Sequence, residues 1–145
     1  MVYSFLNVVC GIVGPGGAFN LGAGASVSEE GISIEPVEDK NVMTIGADGK
    51  GQHSLLASDA AKVTVRLLKT SPINAALMAM FDGQSISSGL WGQNVITVAD
   101  IARGDITIAQ SCAFTKKPAI NYKKEADLIE WTFDSISATT ILGIG

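Results

Sequence analysis

A proline set directly behind a strand constrains this chain more than any other feature, because it ties two periods together within residues 63–84. Val63, Val65 and Leu67 alternate with Thr64, Arg66 and Leu68, the pattern of a strand enriched in β-branched residues. The period then changes. Ser71 suits a helix N-cap and Pro72 the first helical position, where a missing N–H costs nothing. Proline also keeps the residue before it out of the α region, as an N-cap requires. Ile73, Leu77, Met80 and Phe81 follow at i, i+4, i+7 and i+8, one apolar stripe of a helix. Ala75, Ala76 and Ala79 favour helix on the other faces, and Gly83 is a natural stop. The segment predicts a strand, a tight corner and one helix of about three turns over residues 72–82, packed through that stripe. It is expected to be the only substantial helix.

The rest of the chain reads as short strands between turns. Tyr3–Val13 is a first strand, closed by Gly14-Pro15-Gly16-Gly17, and Ala18–Gly24 is irregular or a bulged strand. Gly31–Val37 is a strand ended or edged by Pro36. Val42–Gly46 and Gln52–Ser58 flank a turn containing Asp48-Gly49, a strong hairpin signal. Residues Asp48, Gly49, Lys50, Gly51 and Gln52 then tip a protruding hairpin suited to meeting a neighbouring subunit. Gly83–Asn94 is a loop, and its Trp91 is either a lid on the core or an interface anchor. Asn94–Asp100 and Ile106–Phe114 are strands, Ala119–Tyr122 a short one, and Thr139–Leu142 a separate last one. Between them Asp127–Ile136 alternates, with Ile129, Trp131 and Phe133 on one face and Glu130, Thr132 and Asp134 on the other. Many short strands with one helix predict a mainly β sandwich or barrel with a flanking helix.

A chain of 145 residues makes one domain most simply, and is long enough to bury a core without staples. Hydrophobic residues are 47% and charged residues only 17%. That is apolar for a monomer and fits a surface partly buried against other copies. No run approaches the length of a membrane span, and the N-terminus has no basic region of the kind a signal peptide carries. The net charge is −4, with acid and base shared evenly between the two halves. Gripping nucleic acid needs clustered Lys and Arg; this balance argues against such a surface and is compatible with one past which DNA slides without being held.

Chemistry finds little support. His53 is the single histidine and no nucleophile-elbow motif is present. One histidine with Cys10 and Cys112 gives no metal-ligand spacing; the cysteines read as small buried hydrophobes, with a disulfide between them left open. Gly46–Gly51 fails as a phosphate loop, because Gly51 follows Lys50 where Ser or Thr is needed. Glu130 and Asp134 could pair for acid–base work, but read better as the solvated face of a half-buried strand. No catalytic residue, cofactor or metal is expected.

An ordered set of segments resembles a known family. It comprises Gly46-Ala47-Asp48-Gly49, Val65-Arg66-Leu67-Leu68-Lys69-Thr70-Ser71-Pro72 with Asn74, and Trp91-Gly92-Gln93-Asn94. Gly104-Asp105, Ala113-Phe114 with Pro118, and Glu130-Trp131-Thr132-Phe133 complete it. Together they are similar to the tail tube proteins of contractile-tailed bacteriophages. The resemblance implies a single tail-tube-like domain over residues 1–145, a β-sandwich-like subunit in stacked, hexameric rings. It implies a tube inside a contractile sheath through which viral DNA passes on ejection. The implied partners are further copies of the chain, the sheath protein, and tape measure, baseplate and tube-terminator proteins. The implied location is the virion, after synthesis in the host bacterial cytoplasm. A baseplate or tube-initiator ring, a secretion-system tube, and a small-ligand-binding β-barrel are the alternatives.

Overall fold

The computed structural model describes residues 8–22, 27–120, 122, 124 and 128–143. Among these residues nine strands and one helix follow in order: β1 (Val8–Gly14), β2 (Gly17–Gly22), β3 (Val27–Pro36), β4 (Asn41–Ile45), β5 (Gly51–Leu55), β6 (Ala61–Leu68), α1 (Ile73–Gln84), β7 (Asn94–Asp100), β8 (Asp105–Phe114) and β9 (Leu128–Ile141). Seven strands form one sheet in the order β2-β1-β7-β8-β9-β6-β3, and β4 and β5 form a separate two-stranded ribbon. Neighbouring strands run antiparallel throughout. The mainly β architecture with one flanking helix is the one the sequence pattern predicts.

The large sheet is rolled. Its two edge strands are consecutive in the chain, with β2 ending at Gly22 and β3 starting at Val27. That connection spans at most about 19 Å, whereas a flat sheet of this width would hold its edges about 29 Å apart. Rolling brings one face of every strand inward. Cys10 and Ile12, Leu21, Val63, Val65 and Leu67, Ile96, Cys112 and Phe114, and Ile129, Trp131 and Phe133 form one core with Leu77 and Met80 of the helix.

The roll needs a bend, and β8 and β9 supply it together. In β8 the buried positions are Thr107 and Ala109, then Cys112 and Phe114, so the alternation slips at Gln110–Ser111. The pairing of β7 with β8 slips by one residue in the same place. Ser111 has φ 52° and is the only non-glycine with positive φ among the described residues, as a bulge demands. The hydroxyl of Ser135 is shared between the carbonyls of Gln110 at 2.8 Å and Ser137 at 3.0 Å. Beyond the bend, Ala138 N donates to Asp59 O at 3.0 Å. The expected separate strand Thr139–Leu142 is therefore the far half of β9. Ser135 to Ala138 reads as a break in the hydrophobic alternation, and here it bends the strand without ending it.

Other local expectations need similar adjustment. Tyr3 to Asn7, Ala23-Gly24, Asn121 and Asp127 lie outside the described residues. Ala18 to Gly22 is regular enough to pair as β2, with a register shift at Cys10/Gly11. Leu55 ends β5, so Leu56–Ser58 is not strand, and Ala119-Ile120 and Tyr122 are irregular. The helix does not stop at Gly83 but continues to Gln84. Its start falls one residue later than expected: Pro72, with φ −67° and ψ −18°, stands at the cap before Ile73 and has no side-chain cap bond, while Ile73 N donates to Ser71 Oγ at 3.3 Å. Of the predicted stripe, Leu77 and Met80 are buried and Ile73 and Phe81 pack half-buried at its borders.

Two polar side chains fasten the helix ends. At the start, Asn74 Nδ2 donates to Leu68 O at 2.9 Å and Asn74 Oδ1 accepts from Trp131 Nε1 at 2.9 Å. At the end, Gln84 is 1% exposed and Asn94 0%. Gln84 Nε2 donates to Asn94 Oδ1 at 2.7 Å and to Pro15 O at 2.8 Å, and Asn94 Nδ2 donates back to Gln84 Oε1 at 3.0 Å. This clasp explains why the helix runs past its glycine.

Candidate assembly surfaces

The β4–β5 ribbon is an arm. At its base Val37 N donates to Ala60 O at 3.0 Å, Leu56 N donates to Lys40 O at 2.8 Å, and Lys40 Nζ meets Asp59 Oδ1 at 2.7 Å. These contacts continue the β3–β6 pairing outward. At the tip Gly46 N donates to Lys50 O at 2.8 Å, Lys50 N donates to Asp48 Oδ1 at 3.1 Å, and Gly49 has φ 84°. The predicted hairpin and its turn chemistry are both present. Asp48, Gly49, Lys50, Gly51 and Gln52 are all exposed.

Register divides the arm into two faces. Asn41 opposes Leu55, Met43 opposes His53 and Ile45 opposes Gly51; on the other side Val42 opposes Ser54 and Thr44 opposes Gln52. The first face carries three exposed apolar side chains, Met43 at 59%, Ile45 at 60% and Leu55 at 86%, with the hydrogen-bonded pair Asn41 and His53 between them. The hairpin is legible in the sequence from its turn residues, whereas the face shared by Met43, Ile45 and Leu55 follows only from the pairing of the two strands.

The outward side of the rolled sheet also has two parts. Across β3, β6 and β9, Glu35 opposes Lys62 and Lys62 opposes Asp134; Ser33 opposes Thr64 and Thr64 opposes Thr132; Arg66 opposes Glu130. Arg66 Nε lies 3.5 Å from Glu130 Oε2. Glu130 and Asp134 are thus each set against a basic neighbour on a solvated face. Across β1, β7, β8 and the far half of β9 the rows are Val9–Ala99–Ile106–Ile141 and Gly11–Thr97–Ile108–Thr139, with Val13 beside Val95. None of these side chains is charged. Val13 is 59%, Val95 36%, Ile108 37% and Ile141 62% exposed.

Trp91 is half-buried. It meets the edge of Phe81 at 5.6 Å and tilts over Phe114 at 6.3 Å, so it covers the core at the end of α1. His53 is on the arm, 3.1 Å from Asn41 Nδ2 through Nδ1. Cys10 and Cys112 are both free and buried. Burial pushes the Cys10 thiol from 9.0 up to about 12, and it raises Cys112 against the lowering effects of hydrogen bonds with Ser135 and Ile96. Among the described residues no group of three or more His, Cys, Asp and Glu gathers, and no helix is long and apolar enough to cross a membrane.

The described residues thus form a rolled sheet with a fastened helix, a projecting arm and a broad uncharged outer face. The chain belongs to the family described as the bacteriophage PhiTE tail tube protein, which matches residues 1–143; it is a structural component of a phage tail, and so of the virion. No curated protein sequence matches it. Solved structures share the fold at low identity. The anti-feeding prophage cap, a tube-terminating cap, aligns with TM-score 0.58 and 9% identity over 99% of this chain and 93% of that one. The sheath/tube terminator of the extracellular contractile injection system PVC, in its extended state, gives 0.58 and 13% over 97% of each. The tail of an empty GTA particle, refined helically with C6 symmetry, gives 0.55 and 17% over 97% of this chain and 98% of that one.

Proposed function

We propose that the chain, acting as one tail-tube unit over residues 1–145, assembles into hexameric rings that stack as a tube within a contractile sheath and conduct viral DNA. The family match over nearly its whole length carries this reading. The C6 symmetry of the GTA tail, whose subunit shares the fold, supports six copies per ring. The tip residues Asp48 to Gln52 and the rim of Trp91 are the proposed contacts between subunits. Further copies, sheath, tape measure, baseplate and terminator proteins are the proposed partners, with assembly following synthesis in the host cytoplasm. The role is structural, and no catalysis is proposed.

The physical case for the conduit rests on charge. The outward face of β3, β6 and β9 alternates acid and base, with Glu35, Glu130 and Asp134 against Lys62 and Arg66. The charged side chains of this face keep it wetted and offer phosphates no basic patch to grip, so it is the face we assign to the lumen. Electron microscopy of the purified protein tests the assembly: rings or tubes are expected, and a persistent monomer at high concentration overturns it.

A second reading, a ring that ends the tube, draws on the two terminator structures with TM-score 0.58. Labelling intact tails separates the two. Signal along the whole length supports the tube, and signal at one end supports the terminator.

A further inference from the structure

We infer that the apolar face of the β4–β5 arm docks on the uncharged outward face of β1, β7, β8 and β9 in a second copy of this chain. The inference deepens the tube reading and rests on it. Met43, Ile45 and Leu55 share one side of a two-stranded ribbon that its own chain leaves exposed, and the polar Asn41 and His53 on that side satisfy each other at 3.1 Å. A lone ribbon is marginal in water, and an apolar patch of this kind on an isolated element marks a contact surface. The same molecule carries a matching receiver. The face bearing Val95, Ile108 and Ile141 has apolar side chains part-exposed and no charged ones.

The other outward face is a poor receiver. Laying the arm there would strip water from Lys62, Arg66, Glu130 and Asp134 against methyl and thioether groups, which is costly. Size agrees as well. A two-stranded ribbon of five-residue strands is about 10 Å wide and about 17 Å long, and four receiving strands span about 19 Å. Arm and receiver are different patches, so the contact is heterologous and propagates from copy to copy, closing a ring or continuing along an axis. This places the main contact on the flank of the arm, with the tip as its outer rim.

The test is a set of single substitutions read by sedimentation and electron microscopy. Ile45→Lys and Ile108→Glu should each leave the monomer folded, with an unchanged circular dichroism spectrum, and raise the concentration needed for assembly by about tenfold or more. Thr44→Glu, on the polar face of the arm, should assemble as the wild type does. Combining Ile45→Lys with Ile108→Glu should restore assembly at low salt, where opposite charges across the contact attract. Assembly of Ile45→Lys at the wild-type concentration overturns the inference and leaves the tube reading intact. Tubes of that variant that no longer retain sheath protein also overturn it and give the arm to the sheath. A double variant as defective as its parents overturns the pairing of these two surfaces. A wild-type protein that never assembles overturns the tube reading itself, and this inference with it.

Discussion

Replacing Gln84 by Met should be among the most destabilising changes in the molecule that remove no apolar volume. The clasp joins the end of α1, the β1–β2 turn and the first residue of β7 through three hydrogen bonds of 2.7–3.0 Å. Both amides are sealed from solvent, Gln84 at 1% and Asn94 at 0% exposure, so water cannot replace a lost partner. Methionine keeps the length of the side chain and deletes its donors and acceptor. The amide of Asn94 and the carbonyl of Pro15 are then left without the partners described. Each orphaned buried group costs about 1–3 kcal/mol; the two polar atoms of the Asn94 amide, with a smaller share from the part-buried carbonyl of Pro15, put the total at about 3–5 kcal/mol. Domains of this size have about 5–15 kcal/mol in all. Urea unfolding followed by far-UV circular dichroism should show the midpoint falling by about 1.5–2.5 M for a slope near 2 kcal/mol/M. The double variant Gln84→Met/Asn94→Leu removes both amides, and only Pro15 O stays orphaned. It should be no less stable than Gln84→Met alone, giving a coupling of about 1.5–3 kcal/mol. A single variant that loses under about 1 kcal/mol, or a double equal to the sum of its singles, would refute the clasp.

Gly14→Ala attacks the same place sterically, since an added Cβ would lie 1.9 Å from Asn94 Oδ1; a loss of about 2–3 kcal/mol is expected in the same urea assay. Leu77 is 0% exposed, so Leu77→Asp buries a charge in the core and should yield insoluble protein and no tubes, whereas normal tubes would show that the stripe faces neither core nor interface. Pro72→Ala should cost under about 1 kcal/mol, because Pro72 has ordinary helical angles and Ser71 Oγ still receives Ile73 N–H. The buried thiols set a pH dependence. With Cys10 at about 12 in the fold against 9.0, the unfolded chain ionises first, so stability is full below pH 9 and is lost as the pH rises toward 12 by about 1.4 kcal/mol per unit; Cys10→Ala should flatten that slope in alkaline unfolding curves.

Much of this could be read in the chain. Ser71-Pro72 set the helix start because proline's fixed φ acts locally, and Asp48-Gly49 marked the hairpin for the same kind of reason. The run from Ile129 to Asp134 displayed its buried and solvated faces because strand period is local too. Gln84 and Asn94 gave no such sign. Their pairing joins residues 10 apart in sequence and both to the β1–β2 turn, and a polar residue after Gly83 looks like ordinary surface. The bend at Ser111 and Ser135 was also hidden, since a bulge is defined by the partner strand.

What the sequence determined alone is thus the list of elements and their punctuation, which follow from backbone sterics and periodicity along neighbouring residues. The tertiary structure decided which strands are neighbours, and therefore which side chains share a row. Only that registry reveals one outward face where acids oppose bases and another with no charge, because both depend on residues up to about a hundred positions apart meeting across a 4.8 Å strand spacing.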